Sequence, residues 1–225
     1  MKGISEILKK TESAKVISND IDFAEYVPLD LSVNNENITT QKIESAKDYE
    51  QYIQNYLEKS NAKIAYGGYK EHRNLYQRSP VFMSQDHDER NIHIGLDLWI
   101  NESAPVYAAL EGTIHSFQNN DALGDYGPTI ILKHQIGHFT FHTLYGHLSL
   151  DSLDGKKIGN FVKKGEQIAS LGLPPINGDY APHLHFQIIM DMENKVGDYP
   201  GVCNQSRLAF YLENCPDPNL LLKIY

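Results

Sequence analysis

The stretch "HLHFQIIM", residues 183–190, predicts a β-strand that carries two histidines on one face. Successive side chains of a strand point to opposite faces of the sheet. His183 and His185 therefore project together, while Leu184 and Phe186 point into the core. Such a strand offers two imidazoles to a single site.

Short runs of the same character lie upstream of this strand. They are "HIGLDLWI", "APVYAAL", "GTIHSF", "PTIILKH", "FHTLYGHL" and "NFVKKGEQIASLG", and Gly, Asn, Asp and Pro separate them. Their β-branched and aromatic content and their turn signals are typical of strands, and none is long enough for a capped helix. We therefore predict an antiparallel β domain over residues 92–190.

The flanking segments differ in pattern from this domain. Residues 1–60 read as an N-terminal helical and extended appendage, 61–91 as a connecting segment, and 191–225 as a C-terminal tail packed on the domain. The clearest helix is predicted over Thr39–Ser60, with an apolar stripe at Tyr49, Tyr52, Ile53, Tyr56 and Leu57. The tail is expected to be mostly irregular, with a short helix around Arg207 to Glu213. The fold class is therefore α+β, mainly β.

Composition narrows the function classes. The chain has 225 residues, 41% of them hydrophobic, which is enough for one domain core. A net charge of −9 without a basic run argues against a nucleic-acid partner. The sequence contains no unbroken apolar stretch of the kind that forms a signal peptide or a membrane span. We therefore expect a cytoplasmic protein. Export by another route and a longer natural chain are the alternatives. Cys203 and Cys215 are expected to be free thiols in the core.

A second group of candidate ligands is His93 and Asp97 in "HIGLD". On a straight strand their Cα atoms would lie about 13 Å apart, at roughly 3.3 Å per residue. Metal bonds of about 2.0 to 2.2 Å would barely span that gap. If both residues bind one ion, the chain must bend, and Gly95 is the residue that could allow it.

A third group is "FHTLYGHLSL", in which His142 and His147 fall on opposite faces of a regular strand. His147, beside Gly146 and near a strand end, is the better candidate for the His183 and His185 side.

Three N and O ligands with an open fourth position are typical of catalytic zinc. His93, Asp97 and one histidine of "HLH" would form that set. For the remaining histidines a structural or surface role is favoured: His72, His87, His115, His134, His138 and His142.

In chain order, "HIGLD", "DYGPTIILKH", "TLYGHLS", "VKKGEQIASLG" and "PHLHFQI" resemble the lysostaphin/LytM-type zinc metallopeptidases, over about residues 92–190. The resemblance implies that His93, Asp97 and His185 hold one Zn²⁺ per chain and that His147 and His183 are catalytic. It implies a β fold of the duplicated-hybrid-motif type with the site in a groove. It also implies hydrolysis of a peptide bond by zinc-activated water, in peptidoglycan or in peptide fragments derived from it.

The chain departs from the family pattern in the loop "GLPPINGDYA" before "PHLHF", so one wall of the groove differs. A family tyrosine upstream of the first histidine has three possible counterparts, Tyr66, Tyr69 and Tyr76. A catalytically silent LytM-like domain that binds and regulates a partner is the alternative function. A biotinyl or lipoyl carrier is disfavoured, because such a carrier presents a lysine flanked by methionines and the sequence has none. A sugar-phosphotransfer domain is disfavoured as well, because it would not need Asp97 beside His93.

Overall fold

The computed structural model describes residues 2–40, 45–74, 89–100 and 103–225. Its helices are α1 (Lys2–Lys10), α2 (Glu36–Thr40), α3 (Ala46–Ser60), α4 (Leu208–Asn214) and α5 (Asn219–Leu222). Its strands are β1 (Tyr26–Pro28), β2 (Ile64–Gly67), β3 (Ile92–His93), β4 (Leu96–Trp99), β5 (Pro105–Tyr107), β6 (Gly112–Asn120), β7 (Gly127–Ile136), β8 (Phe139–Gly146), β9 (Phe161–Val162), β10 (Gln167–Ser170), β11 (His183–Ile189) and β12 (Val202–Cys203). Tyr76 and His87 lie outside the described residues.

Eight strands form the main sheet, in the order β1-β2-β4-β11-β8-β7-β6-β9. Every neighbouring pair is antiparallel except β1 and β2, which run parallel at one edge. Two short antiparallel ladders, β5 with β10 and β3 with β12, complete the described strands. The predicted α+β, mainly antiparallel β fold is confirmed, and the parallel edge pair is an addition to it.

Strand β11, which contains the "HLH" motif, lies in the interior of the sheet between β4 and β8. His185 is paired with Asp97 on one side and with Gly146 on the other. The register thus brings all three histidine-containing motifs of the sequence side by side. Leu184 and Phe186 are fully buried in the main core, as the alternation of side chains predicts.

The N-terminal residues pack on the same core as the β domain. Ile4 and Leu8 of α1 are buried in it, and Ile17 forms an antiparallel bridge to Val106. Strand β1 extends the main sheet through β2. The described part of residues 1–60 therefore contributes to the fold of the β domain, while the domain boundaries themselves stay a prediction.

Helix α3 forms the second N-terminal contact with the sheet. Ser45 caps it, since its hydroxyl accepts a hydrogen bond from the Asp48 N–H while the Asp48 carboxylate accepts one from the Ser45 N–H. The helix ends where Asn61 adopts a left-handed conformation with φ of 49°. The predicted apolar stripe is buried at Ile53 and Leu57. The predicted helix is confirmed over Ala46–Ser60, and residues 41–44 lie outside the described part. Its predicted start at Thr39 is wrong, since Thr39 and Thr40 end α2 and Ser45 is the N-cap of α3.

Residues from Tyr49 to Leu57 pack in a satellite core that also holds Leu29, Leu31 and Trp99. Burying an aliphatic side chain of this size contributes about 1.5 to 3 kcal/mol. Since Trp99 ends β4, this satellite core attaches the helix beside the strand that carries Asp97. Helix α3 is thereby placed next to the candidate site.

The C-terminal tail packs on the β domain and on the N-terminal segment, since the Ala14 N–H donates to the Leu221 carbonyl at 3.0 Å. Strand β12 pairs with β3, and α4 coincides closely with the predicted short helix. Cys203 and Cys215 are buried free thiols, as predicted. Leu221 and Leu222 of α5, a helix that was not predicted, enter the main core. Within the described residues, no helix has the length and apolar character that a membrane crossing requires.

Candidate active site and metal centre

The three predicted metal ligands converge at the junction of β3, β4 and β11. Asp97 Oδ1 lies 3.3 Å from His93 Nε2 and 3.1 Å from His185 Nδ1, and the two nitrogens are 2.9 Å apart. In a tetrahedral zinc site with bonds of about 2.0 to 2.1 Å, ligand atoms are separated by about 3.3 Å. The three atoms therefore have the spacing of a metal-ligand set, and we call them the ligand triad.

The hydrogen bonds around the ligand triad fix its tautomers. His93 Nδ1 faces the Gly68 carbonyl oxygen at 2.9 Å, and His185 Nε2 faces the Gln187 side-chain oxygen at 2.8 Å. Both oxygens are acceptors, so these two nitrogens carry the protons. Their partners, His93 Nε2 and His185 Nδ1, are left as bare lone pairs facing the Asp97 carboxylate. This donor set fits a divalent cation, which satisfies three acceptors at once.

Gln187 is held in the orientation that this assignment requires. Its amide nitrogen donates to the Pro200 carbonyl at 3.1 Å and to Cys215 Sγ at 3.2 Å. The amide oxygen is therefore the atom turned toward His185. Cys215 reaches Gln187 because the C-terminal tail folds back against β11.

Gly95 provides the bend between His93 and Asp97. Strand β3 ends at His93 and β4 begins at Leu96. A Cβ atom at Gly95 would lie 2.3 Å from Cε1 of His185, well inside contact distance. Gly95 is not among the glycines with positive φ. The bend lies at the predicted residue. Glycine is required there for space, because a side chain would collide with the His185 imidazole, and not for a positive φ.

Burial sets the protonation of the ligand triad. Burial lowers the pKa of His93 to about 4, even though the Asp97 charge opposes this shift. For Asp97, burial by itself would raise the pKa, but the neighbouring His93 and the Arg73 guanidinium hold it well below its usual range. At neutral pH, His93 is therefore an uncharged donor and Asp97 an ionised one, which are the forms that bind a metal.

His147 and His183 lie beside the ligand triad, with ring centroids 4.2 Å apart. Their Nδ1 atoms donate to the carbonyl oxygens of Asn177 at 2.8 Å and of Ala181 at 2.7 Å. Each ring is left with an unprotonated Nε2, and that of His183 is 3.9 Å from Asp97 Oδ1. Burial lowers the pKa of both rings. Both imidazoles are neutral at pH 7 and able to accept a proton.

The orientation of His147 depends on an unusual backbone conformation. It follows the last residue of β8 and has a φ of 62°, in the left-handed region that non-glycine residues rarely adopt. Its N–H donates to the Tyr126 carbonyl, and its own carbonyl accepts from the Gly172 N–H, both at 2.9 Å. His142 instead packs against His115, with ring centroids 4.8 Å apart. The structure thus brings His147 to the ligand triad and keeps His142 away from it.

The remaining described histidines serve other parts of the molecule. His134 is buried between the Glu111 carbonyl and the Thr143 hydroxyl, both at 2.7 Å. His72 bridges to Ile92 through its backbone, and His138 is exposed. Among the described residues, none of these three lines the cleft around the ligand triad.

The tyrosines near the site differ from those expected. Tyr66 stacks on Tyr225, with centroids 5.5 Å apart, and the Tyr69 hydroxyl donates to the Cys215 carbonyl. Tyr126 instead faces the site, with its hydroxyl 3.3 Å from His185 Nε2. Neither Tyr66 nor Tyr69 lines the cleft over the ligand triad, and which residue corresponds to the family tyrosine stays a prediction. The available signal for Tyr126 was its position in "DYGPTIILKH", one of the motifs that carry the family resemblance.

A cleft opens over the ligand triad. One wall is apolar and comes from the N-terminal half of the chain, through Leu31, Tyr49, Ile53 and Trp99. The other wall carries charged and aromatic side chains. They are Arg90, Asp125, Tyr126, Tyr180, Asp198 and Tyr199. The cleft therefore presents both apolar and polar groups to a ligand.

The loop "GLPPINGDYA" forms the end of the cleft beside His147. Asn177 is fully buried, and its amide donates to the carbonyls of Gly172 at 3.3 Å and Tyr180 at 2.9 Å. The Tyr180 hydroxyl donates to the Gly124 carbonyl at 2.7 Å. These bonds fix the carbonyl of Asn177 that accepts from His147. The loop that departs from the family pattern thus holds a candidate catalytic histidine.

Residues 91–197 match the profile of Peptidase family M23. This part of the chain is similar to that family. M23 peptidases are the family to which the sequence motifs pointed, and the match encloses all five candidate site residues. They are His93, Asp97, His147, His183 and His185.

Three solved structures are similar to this chain. The catalytic domain of the antimicrobial peptidase lysostaphin from Staphylococcus simulans is 26% identical, over 68% of this chain and 93% of that chain, with a TM-score of 0.40. LytU is 26% identical over 65% and 85% of the two chains, with a TM-score of 0.37. The prophage-encoded EnpA of Enterococcus faecalis is 22% identical over 49% and 80%, with a TM-score of 0.38. No curated protein gives a significant sequence match.

Proposed function

We propose that this M23 protein is a zinc-dependent metalloendopeptidase that hydrolyses peptide bonds in peptidoglycan or in peptides derived from it. The observation that carries the proposal is the ligand triad, in which two bare imidazole nitrogens and a carboxylate oxygen lie within 3.3 Å of one another. His147 and His183 add two neutral imidazoles at its side. This combination supplies both a cation site and proton acceptors.

His93, Asp97 and His185 would hold the metal. A divalent ion there supplies Lewis acidity, which polarises a carbonyl group and lowers the pKa of water. His147 and His183 then act in proton transfer: each keeps its Nδ1 proton on a backbone carbonyl and has Nε2 available. A proton taken up at Nε2 converts the imidazole to a donor that can stabilise a developing oxyanion.

The cleft supports an extended peptide as substrate. Its apolar wall of Leu31, Tyr49, Ile53 and Trp99 provides a surface for side chains or methyl groups on either side of the scissile bond. Its polar wall includes Asp125, Asp198 and Arg90. The stem peptides of peptidoglycan combine alanine methyl groups with charged termini, and such a ligand matches both walls.

A regulatory domain that binds a partner without cleaving it is the second candidate. The observation that favours it is burial: His93, Asp97 and His185 are only 2%, 1% and 2% exposed. A site this enclosed restricts which substrates reach it. The intact donor set favours catalysis over this alternative.

The experiment that tests the proposal is elemental analysis of the purified protein, together with digestion of muropeptides and glycine-rich peptides followed by mass spectrometry. We expect one zinc ion per chain in the wild type, none in an Asp97→Asn, His185→Gln double variant, and cleavage by the wild type alone. His115→Gln is the matched control, because this histidine lies outside the cleft. Stoichiometric zinc without cleavage of any peptide would favour the regulatory domain, and absence of metal from the wild type would contradict the metallopeptidase.

A further inference from the structure

Arg73 is a buried cation beside the ligand triad that none of the sequence motifs includes. Its side chain is 2% exposed, and its Nη1 donates to Asp97 Oδ2 at 2.6 Å. Transferring a guanidinium into the interior costs several kcal/mol unless charge pairing offsets it. The location of Arg73 therefore depends on its carboxylate partners.

Glu71 is the second carboxylate partner of Arg73. One of its oxygens, Oε2, accepts a hydrogen bond from Arg73 Nε. The other, Oε1, accepts one from the backbone N–H of Leu31 at 3.0 Å. Glu71 is thereby fixed by the N-terminal segment that also forms the apolar wall of the cleft. A continuous chain of hydrogen bonds leads from Leu31 through Glu71 and Arg73 to Asp97.

The two oxygens of Asp97 have separate partners. Oδ2 accepts from Arg73, while Oδ1 faces His93 Nε2 and His185 Nδ1. Holding Oδ2 fixes the rotation of the carboxylate about its last bond. Oδ1 is then presented to the position where the two histidine lone pairs meet.

A lysine would fill this role less well than arginine. The planar guanidinium donates in two directions at once, from Nε to Glu71 and from Nη1 to Asp97. The ring of Trp99, on the same strand as Asp97, covers the guanidinium carbon at 5.6 Å. A lysine ammonium is a point charge with no such fork or flat face.

We propose that Arg73, held by Glu71, is a positioning residue that orients Asp97 for metal binding. This inference rests on the proposed metal site. If it is right, Arg73 and Glu71, which lie in the connection before β3, contribute to the metal affinity. The N-terminal segment contributes as well, because Leu31 holds Glu71 in place. Partners that orient a ligand from behind typically change metal affinity 10- to 100-fold when they are removed.

The test is zinc affinity, measured by competition with a chromophoric chelator for the wild type, Arg73→Met, Arg73→Lys and Glu71→Gln. We expect Arg73→Met to weaken zinc binding about 10- to 100-fold, and Arg73→Lys and Glu71→Gln to weaken it by smaller factors. Lys63→Met is the matched control: it also removes one cation from an ion pair, with Glu25 at 2.7 Å, but on the surface. Its zinc affinity should equal that of the wild type.

Thermal unfolding in EDTA separates positioning from a general loss of structure. A variant with a native melting profile in EDTA and weaker zinc binding supports the inference. If Arg73→Met fails to fold, Arg73→Lys and Glu71→Gln decide the question. Folded variants that bind zinc as tightly as a zinc-binding wild type overturn the inference and leave the proposed function intact. A wild type that binds no zinc overturns both.

Discussion

The Nε2 atom of His93 lies 2.9 Å from the Nδ1 atom of His185, and in the tautomers that the Gly68 carbonyl and the Gln187 side-chain oxygen select, both atoms are lone-pair acceptors. Each ring donates its one proton on the opposite side, to Gly68 and to Gln187. Two acceptors at this distance, with the Asp97 carboxylate 3.1 to 3.3 Å from both, repel one another. Binding of a cation converts this repulsion into attraction, so metal binding should also stabilise the folded state.

We expect zinc to raise the melting temperature. A ligand at 100 times its Kd adds about 2.7 kcal/mol to the free energy of unfolding. At about 2 to 4 °C per kcal/mol for a protein of this size, this corresponds to a rise of roughly 5 to 10 °C. Differential scanning calorimetry with and without EDTA measures it. The Asp97→Asn, His185→Gln variant is the control, and a shift in that variant as large as in the wild type would point to zinc binding elsewhere.

Replacing His147 or His183 should separate catalysis from metal binding. Neither histidine belongs to the ligand triad, so His147→Ala and His183→Ala should keep one zinc per chain. Loss of proton transfer should lower kcat/KM about 10²- to 10⁴-fold. Peptide cleavage assays and elemental analysis of the same preparations measure both quantities. His138→Ala, at an exposed position, should leave both unchanged; full activity in both site variants would exclude them from the chemistry.

Gly95→Ala should disturb the metal site through a steric clash. The added Cβ would lie 2.3 Å from His185 Cε1, so the ring must move. We expect zinc affinity to fall, and the free energy of unfolding in EDTA to fall by about 1 to 3 kcal/mol. Gly137→Ala is the control: Gly137 has a φ of 60° and no atom within 4 Å of an added Cβ. That control should cost about 1 kcal/mol of stability without changing zinc affinity.

The stability of the protein should fall between pH 6.5 and pH 4, in part because of His134. Burial lowers the pKa of His134 from 6.5 to about 4 in the folded state. In this interval the unfolded chain binds the proton more strongly, so the stabilising contribution is fully present above pH 6.5 and is lost as the pH falls. The maximum loss is about 3 kcal/mol, from about 1.36 kcal/mol per pKa unit.

Chemical denaturation at several pH values in EDTA tests this, comparing the wild type with His134→Gln. Because His93 and His142 titrate in the same interval, the difference between the two proteins isolates His134. We expect a shallower pH dependence for His134→Gln. His138→Ala, at an exposed position, should retain the wild-type slope. Equal slopes for the wild type and His134→Gln would show that His134 takes up its proton without cost.

Local patterns predicted the β domain and the three groups of candidate ligands, while the family resemblance implied that His185 holds the metal and that His147 and His183 are catalytic. Alternation along "HLHF" is sufficient to place His183 and His185 on one face, and the bend at Gly95 follows from the distance between His93 and Asp97. His147 was preferred over His142 because it lies near a predicted strand end. In the structure it directly follows β8 and has a left-handed φ of 62°.

Contacts between distant segments were not predictable in this way. Arg73 reaches Asp97 from 24 residues upstream, and the partner that fixes Glu71 is Leu31, a further 40 residues away. No periodicity signals such a contact. The parallel pairing of β1 with β2 is also a contact between distant segments, since Tyr26 pairs with Ile64. A lone arginine between two carboxylates becomes recognisable only once the chain is folded.

The apolar wall that α3 contributes to the cleft has a practical consequence for expressing the protein. A recombinant fragment cut to residues 91–197 would retain the whole region that matches the family, yet it would lack Tyr49, Ile53 and Arg73. Trp99, now 3% exposed, would face water, and Asp97 would lose its counter-ion. Such a fragment should be poorly soluble and should chelate metal weakly. The matched region, residues 91–197, is therefore shorter than the set of residues that packs around the candidate site.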